Sequence, residues 1–457
     1  MPITVQPTPS ANCPDIPPDL PATTMHSFHY HDQRLFCEGV DLATLAEKHG
    51  TPLYVYSKNT ITDHFDRLDQ GLDDLDHLIC YAVKANSNLA ILNLLAERGS
   101  GFDIVSAGEL YRVIKAGGDP AKCTFAGVGK TENELTYALE QGIYSFNVES
   151  EAELCFINKI AGKLGKTAPV ALRVNPNVDA RTHKYISTGK SENKFGIDFD
   201  RIEDAYARAA RDLPHIRLLG LQMHIGSQLT SIAPFVEAVS KVAPLAARLK
   251  AQHNIEFFSV GGGIGIIYQG ALDSGSPDWW ENKDDLATPL TVAAYATAVV
   301  PALRELGLKI IVEPGRYMVG NAGVLLSRVL YEKRGTAKTF TVIDAGMNDL
   351  IRPALYEGHH DIVPLNQPAA TTPTEKVDIV GPICETGDFF CQDRVLPALA
   401  QSDLIAVLSS GAYGFVMASN YNSRPLPAEV LVAGEHAKII RERQTLADLV
   451  AGECIPG

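Results

Sequence analysis

Between Leu78 and Arg316, eight short apolar runs follow one another, separated by stretches with helical spacing of apolar and polar positions. The runs are LICYAVKA (78–85), GFDIVS (101–106), CTFAGV (123–128), YSFNVES (144–150), PVALRVNP (169–176), LLGLQMHIGS (218–227), FFSVGGG (257–263) and KIIVEPGR (309–316). Strand then helix, eight times in about 240 residues, predicts a (β/α)8 barrel. In that fold the C-terminal ends of all strands face one shared site. Here most of those ends carry a chemically useful residue: Lys84, Asp103, Arg173, His224, Gly261, Gly262, Gly263, Glu313 and Arg316.

After Arg316 the pattern changes to closely spaced strand runs with little helix between them: GVLLSRVLYEKRG, KTFTVIDAG, KVDIVGPIC, DLIAVLSSG, AEVLVAG and HAKIIRER. Such spacing predicts a C-terminal β-sandwich or β-barrel domain. The fold class expected is thus α/β plus all-β. Ahead of the barrel, HSFHYHDQRLFCEGV reads as a strand and DLATLAEKHG as a small helix. The strand near His29 is expected to join the β-domain, making that domain discontinuous. The division expected is a disordered extension over 1–25, an N-terminal segment over 26–51, a barrel over 52–308 and a β-domain over 309–457. Two polar segments interrupt the barrel rhythm. Residues 180–197 (ARTHKYISTGKSENKFGI) read as a loop over the pocket mouth, and 274–285 (SGSPDWWENKDD) as an exposed insertion whose tryptophans pack locally.

Composition narrows the partners. At 46% apolar and 21% charged over 457 residues, the chain is long enough for a barrel plus a second unit. A net charge of −14 argues against nucleic acid, whose phosphates need a basic face. No apolar run approaches the roughly 18–20 residues that span a bilayer, so no membrane partner is expected. The first 25 residues lack the basic and apolar regions of a secretory signal. Eight scattered cysteines without a C-x-x-C pair argue against a disulfide framework or a metal site. They suit reduced thiols and a cytoplasmic location.

Lys84 at a strand end is an ordinary position for a solvated lysine. Grouped with the other strand-end residues, it becomes a candidate for Schiff-base chemistry, because a partly desolvated amine can have its pKa lowered and attack a carbonyl. Pyridoxal 5'-phosphate is the usual carbonyl cofactor. Its phosphate needs closely approaching backbone N–H groups, which glycine permits. Gly261, Gly262, Gly263 and Gly315 follow strands seven and eight, where barrel phosphate sites are often built. Its ring nitrogen needs an acid, and Glu313 is the candidate; the competing reading is a structural pair with Arg316. His224 is a candidate for the ring face, or else a satisfied core histidine, with Ser227 turned to the phosphate. Asp103 and Arg173 are candidates for orienting Lys84 and the ring.

The segments YAVKAN, FDIVSAGEL, HIGSQ, GGGIGI and EPGR, in this order and spacing, resemble the fold-type III pyridoxal-phosphate decarboxylases over about residues 28–450. HIGSQ, MNDLIRPALY (347–356), GPICETGD (381–388) and the loop RTHKYISTGKSENKFGI are similar to the members that act on meso-diaminopimelate. The resemblance implies that Lys84 carries the cofactor and His224 stacks on it. It implies that Ser227, the Gly261–Gly263 loop and Gly315 with Arg316 hold the phosphate region, and that Glu313 meets the ring nitrogen. It further implies that Arg316, Arg352 and Tyr356 receive the substrate's far carboxylate and Glu385 its amino group. Cys384 is implied as proton donor, and Tyr413 as a contact to cofactor and substrate. Cys384 and Glu385 are implied to come from the partner of a homodimer with shared active sites. One departure is Thr386, where the family commonly has Ser.

The implied reaction is decarboxylation at the D-configured centre to L-lysine and CO2. Alternatives are a decarboxylase of ornithine, arginine or carboxynorspermidine, a racemase of the same barrel, and a non-enzymatic cofactor-holding barrel. Glu313 weighs against the racemase, which typically has arginine at the ring nitrogen. The large β-domain weighs against the cofactor holder.

Overall fold

Three successive strand–helix turns carry the same Ser/Thr-x-x-Glu spacing, and it sets where each helix begins. Ser106, Thr131 and Ser150 accept hydrogen bonds from the backbone N–H of Glu109, Glu134 and Glu153, capping helices Ala107–Lys115, Glu132–Gln141 and Glu151–Lys163. The glutamate side chains reach back to backbone N–H groups of Val105, Thr131 and Glu149, satisfying further donors at each helix start. These facts come from a computed structural model that describes residues 25–179, 194–276, 290–369 and 371–456. The extension 1–24, residues 180–193 of the polar loop, and Trp279 and Trp280 of the insertion lie outside the described residues.

All eight expected barrel strands form. They are His77–Ala82, Gly101–Ile104, Cys123–Phe125, Ser145–Val148, Ala168–Asn175, Ile216–Gln222, Phe257–Gly261 and Lys309–Val312. Each pairs in parallel with its neighbours, and the eighth pairs with the first, so the cylinder is closed. An apolar plug of Cys80, Ala171, Leu219, Phe257 and Ile311 forms a separate core cluster. The barrel strands and their ends also bury polar residues: Asp103, Thr124, Ser145, Asn147, Gln222, Ser259 and Glu313. Asp103, Thr124 and Ser145 pair laterally in register, which puts them on one face of the sheet.

The six runs expected beyond Arg316 are all strands. The second sheet runs in the order Phe389–Pro397, Thr374–Val380, Thr339–Ile343, Gly323–Arg334, Leu53–Ser57, Ala428–Ala433 and His436–Arg441. Leu404–Val407 also pairs with Gly323–Arg334, and Ile362–Pro364 pairs with Leu404–Val407. Phe389–Pro397 and Ile362–Pro364 were not foreseen.

The N-terminal expectations need correction. The strand that joins the β-domain is Leu53–Ser57, antiparallel to Gly323–Arg334 and parallel to Ala428–Ala433. The run around His29 folds instead into its own three-stranded sheet, Phe28–His31, Arg34–Cys37 and Val40–Asp41. A reversal at Asp32 and Gln33, both with positive φ, splits it in two. Its Phe28, Leu35 and Cys37 share a core cluster with Leu53, Val55, Val324 and Val430, and it meets the β-domain backbone through an isolated bridge, Arg34 opposite Asn366, with the Leu35 N–H donating to the Leu365 carbonyl at 2.8 Å. The division at 52–308 shifts at both edges, because Leu53–Ser57 lies in the second sheet and Lys309–Val312 completes the barrel.

The two units share one core and are tied together beside the barrel mouth. Tyr413 N–H donates to the Ala85 carbonyl at 2.8 Å, and the Asn86 amide to the Gly411 carbonyl at 3.2 Å.

Candidate active site

A cavity of about 420 Å³ lies over the C-terminal ends of the barrel strands, roofed by residues of the β-domain. Of the expected site residues, Lys84, Asp103, Arg173, His224, Ser227, Gly263, Glu313, Gly315, Arg316, Arg352, Tyr356 and Tyr413 all line it. Gly261 and Gly262 do not. Their role is close approach: a Cβ on Gly262 would sit 2.0 Å from the Glu313 carbonyl oxygen, and one on Gly261 2.4 Å from that of Met223. Only these hydrogens let strands seven and eight and the His224 segment converge.

Lys84 stands in the short turn Val83–Ala85 after the first strand, with Nζ 2.7 Å from Oδ2 of buried Asp103. Burial alone would lower the pKa of Lys84, as expected. The Asp103 carboxylate, with Tyr413 and Glu313 behind it, outweighs burial and holds the pKa above its ordinary value. The expected lowering is thus reversed in this chain.

Among the described residues Glu313 has no arginine partner. Its carboxylate accepts from Asn147 Nδ2 at 3.1 Å, Ser259 Oγ at 2.8 Å and Gln222 Nε2 at 3.0 Å. Burial, reinforced by Asp103, pushes its pKa up to about 7. The competing pair with Arg316 does not form, because Arg316 donates to Tyr268 Oη at 2.6 Å and to Ser227 Oγ at 3.0 Å. The Arg316 guanidinium also lies 4.8 Å from the ring centre of Tyr413.

His224 is kept neutral. Burial, then the charges of Arg173 and Lys84, hold its pKa well below the usual histidine range. Its Nδ1 accepts the Gly262 N–H at 3.3 Å. Arg173 is bound to Glu149 at 2.9 Å and to the His224 carbonyl at 3.4 Å, so it braces the histidine segment and not Lys84. Arg352 donates to His360 Nε2 at 2.7 Å and lies 4.5 Å from the ring centre of Tyr268.

Cys384 and Glu385 lie outside this cavity. Both are exposed, in the turn ahead of Asp388, where the Cys384 N–H donates to Asn422. Sequence reasoning missed Asn147, Gln222, Ser259, Tyr268, Glu149 and His360. For the first three the available signal was a polar side chain inside an otherwise apolar strand run.

The residues present fit pyridoxal phosphate. A lysine amine and a buried acid ringed by donors share the cavity, and glycines 263 and 315 border it without side chains. Three buried polar atoms, Asp103 Oδ1, Gln222 Oε1 and Arg316 Nε, are left without a hydrogen-bond partner. Buried polar atoms are rarely left unpaired, so unpaired ones at a cavity suit a polar ligand.

Fold and site together define a pyridoxal-dependent decarboxylase. Residues 58–320 match the family described as "Pyridoxal-dependent decarboxylase, pyridoxal binding domain". The diaminopimelate decarboxylase of Vibrio cholerae is 50% identical over 434 residues, covering 94% of this chain and 99% of that protein. That of Pseudomonas aeruginosa is 50% identical over 432 residues, with the same coverage. Among solved structures, diaminopimelate decarboxylase from M. jannaschii in complex with L-lysine superposes with a TM-score of 0.85 at 38% identity, covering 94% of this chain and 98% of that one. The Helicobacter pylori enzyme complexed with L-lysine gives 0.81 at 41% identity, covering 90% and 98%. The chain belongs to the diaminopimelate decarboxylase family.

Proposed function

We infer that this protein decarboxylates meso-2,6-diaminopimelate to L-lysine and CO2, the last step of lysine biosynthesis, using pyridoxal 5'-phosphate. One observation carries the substrate assignment: Arg316 and Arg352 face the same cavity as Lys84 and Glu313, and among the described residues no acidic side chain pairs with either. Two unneutralised guanidiniums beside the reactive lysine suit a substrate with a second carboxylate, because charge-assisted hydrogen bonds are roughly twice as strong as neutral ones. Ornithine and carboxynorspermidine offer no such group at the far end.

In this reading Lys84 holds the cofactor, with Asp103 Oδ2 the atom placed to take the proton its ammonium must lose. Glu313 meets the ring nitrogen, fixed in direction by Asn147, Ser259 and Gln222. His224 walls one face as a neutral ring, while Ser227, Gly263 and Gly315 border the phosphate region. Bound there, pyridoxal phosphate supplies an electron-accepting ring for the charge left when CO2 departs. Arg316, Arg352 and Tyr356 hold the far carboxylate, and Tyr413 adjoins both ligands. Cys384 of a second copy donates its thiol proton to the carbon that loses CO2, and Glu385 of that copy takes the far amino group. The working unit is then a homodimer. A cytoplasmic location suits the seven cysteines of the described residues, all of them free. Among the described residues no helix is long and apolar enough to cross a membrane.

The test is to incubate cofactor-loaded protein separately with meso-diaminopimelate, ornithine, arginine and carboxynorspermidine, and to measure CO2. Release from diaminopimelate alone is expected. Faster release from any of the other three would overturn the substrate assignment.

A further inference from the structure

Arg352 is held from both sides by residues with no charge to offer it. His360 is fully buried, and its Nδ1 lies 2.7 Å from the Leu408 carbonyl oxygen. A carbonyl only accepts, so that nitrogen carries the proton and Nε2 has the lone pair. Nε2 lies 2.7 Å from Arg352 Nη1, an N–H that only donates. A neutral, single-tautomer imidazole therefore links the guanidinium to the β-domain backbone. Burial and the neighbouring Arg352 charge keep this ring neutral. On the other side the Tyr268 ring faces Arg352, and His360 meets the same ring edge-on at 5.2 Å.

The loop bearing His360 is itself pinned. Arg394 donates to the His360 carbonyl, and Asp361 Oδ2 accepts the Ala271 N–H at 2.7 Å from the barrel loop that carries Tyr268. A carboxylate in the place of His360 would anchor Arg352 as firmly but would cancel its charge. A hydrophobic residue would leave both Arg352 and the Leu408 carbonyl unsatisfied.

We propose that His360 is a positioning residue for substrate recognition: it aims Arg352 into the cavity through a neutral hydrogen bond, so that the guanidinium meets the far carboxylate with its charge uncompensated. This rests on the reading of Arg352 as a carboxylate ligand, and the experiment separates the two. His360→Asn keeps a donor for the Leu408 carbonyl but withdraws the acceptor from Arg352. His360→Gln keeps an acceptor at the reach of Nε2. In cofactor-loaded protein, inhibition of CO2 release is measured with L-lysine, which retains the far carboxylate, and with 1,5-diaminopentane, which has none. Loss of a charged hydrogen bond predicts about tenfold or greater weakening of L-lysine in His360→Asn. His360→Gln should restore binding to within about threefold of the native protein, since the acceptor is back. Diaminopentane inhibition should be the same in all three. Normal L-lysine inhibition in His360→Asn, equal defects in Asn and Gln variants, or equal weakening of both ligands would each overturn the proposal. If Arg352→Ala binds L-lysine normally, the reading of Arg352 fails. If Arg352→Ala is defective and His360→Asn is not, the positioning role alone fails.

Discussion

The two ends of the site are governed by opposite treatments of charge. At one end, the buried Asp103 carboxylate raises the pKa of both Lys84 and Glu313. At the other end, among the described residues, Arg316 and Arg352 meet hydroxyls, aromatic faces and a neutral imidazole and no carboxylate. Arg352→Ala should therefore raise KM for diaminopimelate by about 10–100-fold, the equivalent of a lost charged hydrogen bond, while the cofactor stays bound. Unchanged KM with intact cofactor absorbance would remove Arg352 from the substrate site. Glu313 gives a pH prediction for the cofactor-free protein. Its pKa rises from 4.5 to about 7 on folding, so the folded state binds the extra proton. The stability this contributes is present below about pH 4.5 and is lost as pH rises through about 7, up to about 3 kcal/mol in all. Glu313→Gln should flatten that part of the melting-temperature profile. Parallel profiles for variant and parent between pH 5 and 8 would contradict it.

At the scale of elements, legibility followed the range of the forces involved. Barrel strands depend on short local apolar runs, so they could be read directly. Leu53–Ser57 could not, because its burial on both faces comes from partners at Gly323–Arg334 and Ala428–Ala433, far along the chain. The hairpin at Asp32–Gln33 was missed because neither residue is a glycine, although both adopt positive φ. The GGG run was read as a phosphate cradle; two of its members serve strand convergence. Gly262→Ala places a methyl against the Glu313 carbonyl oxygen, which is backbone and has little room to yield. Such overpacking costs about 1–3 kcal/mol or more, and here the displacement falls on Glu313, which we propose for the ring nitrogen. The variant should melt lower and bind pyridoxal phosphate more weakly; native affinity in a titration of cofactor absorbance would contradict this.

For the whole molecule, the cavity belongs to both units: the barrel supplies Lys84 and Glu313, and the β-domain supplies Arg352, Tyr356 and Tyr413. Cys384 and Glu385 are exposed on the chain that bears them, which is the disposition a shared site requires. Lys84→Ala and Glu385→Ala, each impaired alone, should complement when unfolded and refolded together. In a random mixture half the dimers are mixed and each carries one intact site, so about a quarter of native activity should return. Activity no higher than the average of the two separate variants would show that each chain completes its own site.

The succession of barrel strands and the cofactor class were determined by the chain on its own, because each rests on short-range pattern or on residue chemistry at a strand end. Direction of charge was decided only in three dimensions. Lys84 is held protonated by Asp103, Glu313 turns to amides instead of Arg316, and Arg352 leans on a histidine eight residues away. Electrostatic effects weaken with distance and strengthen with burial, quantities that a linear string does not contain.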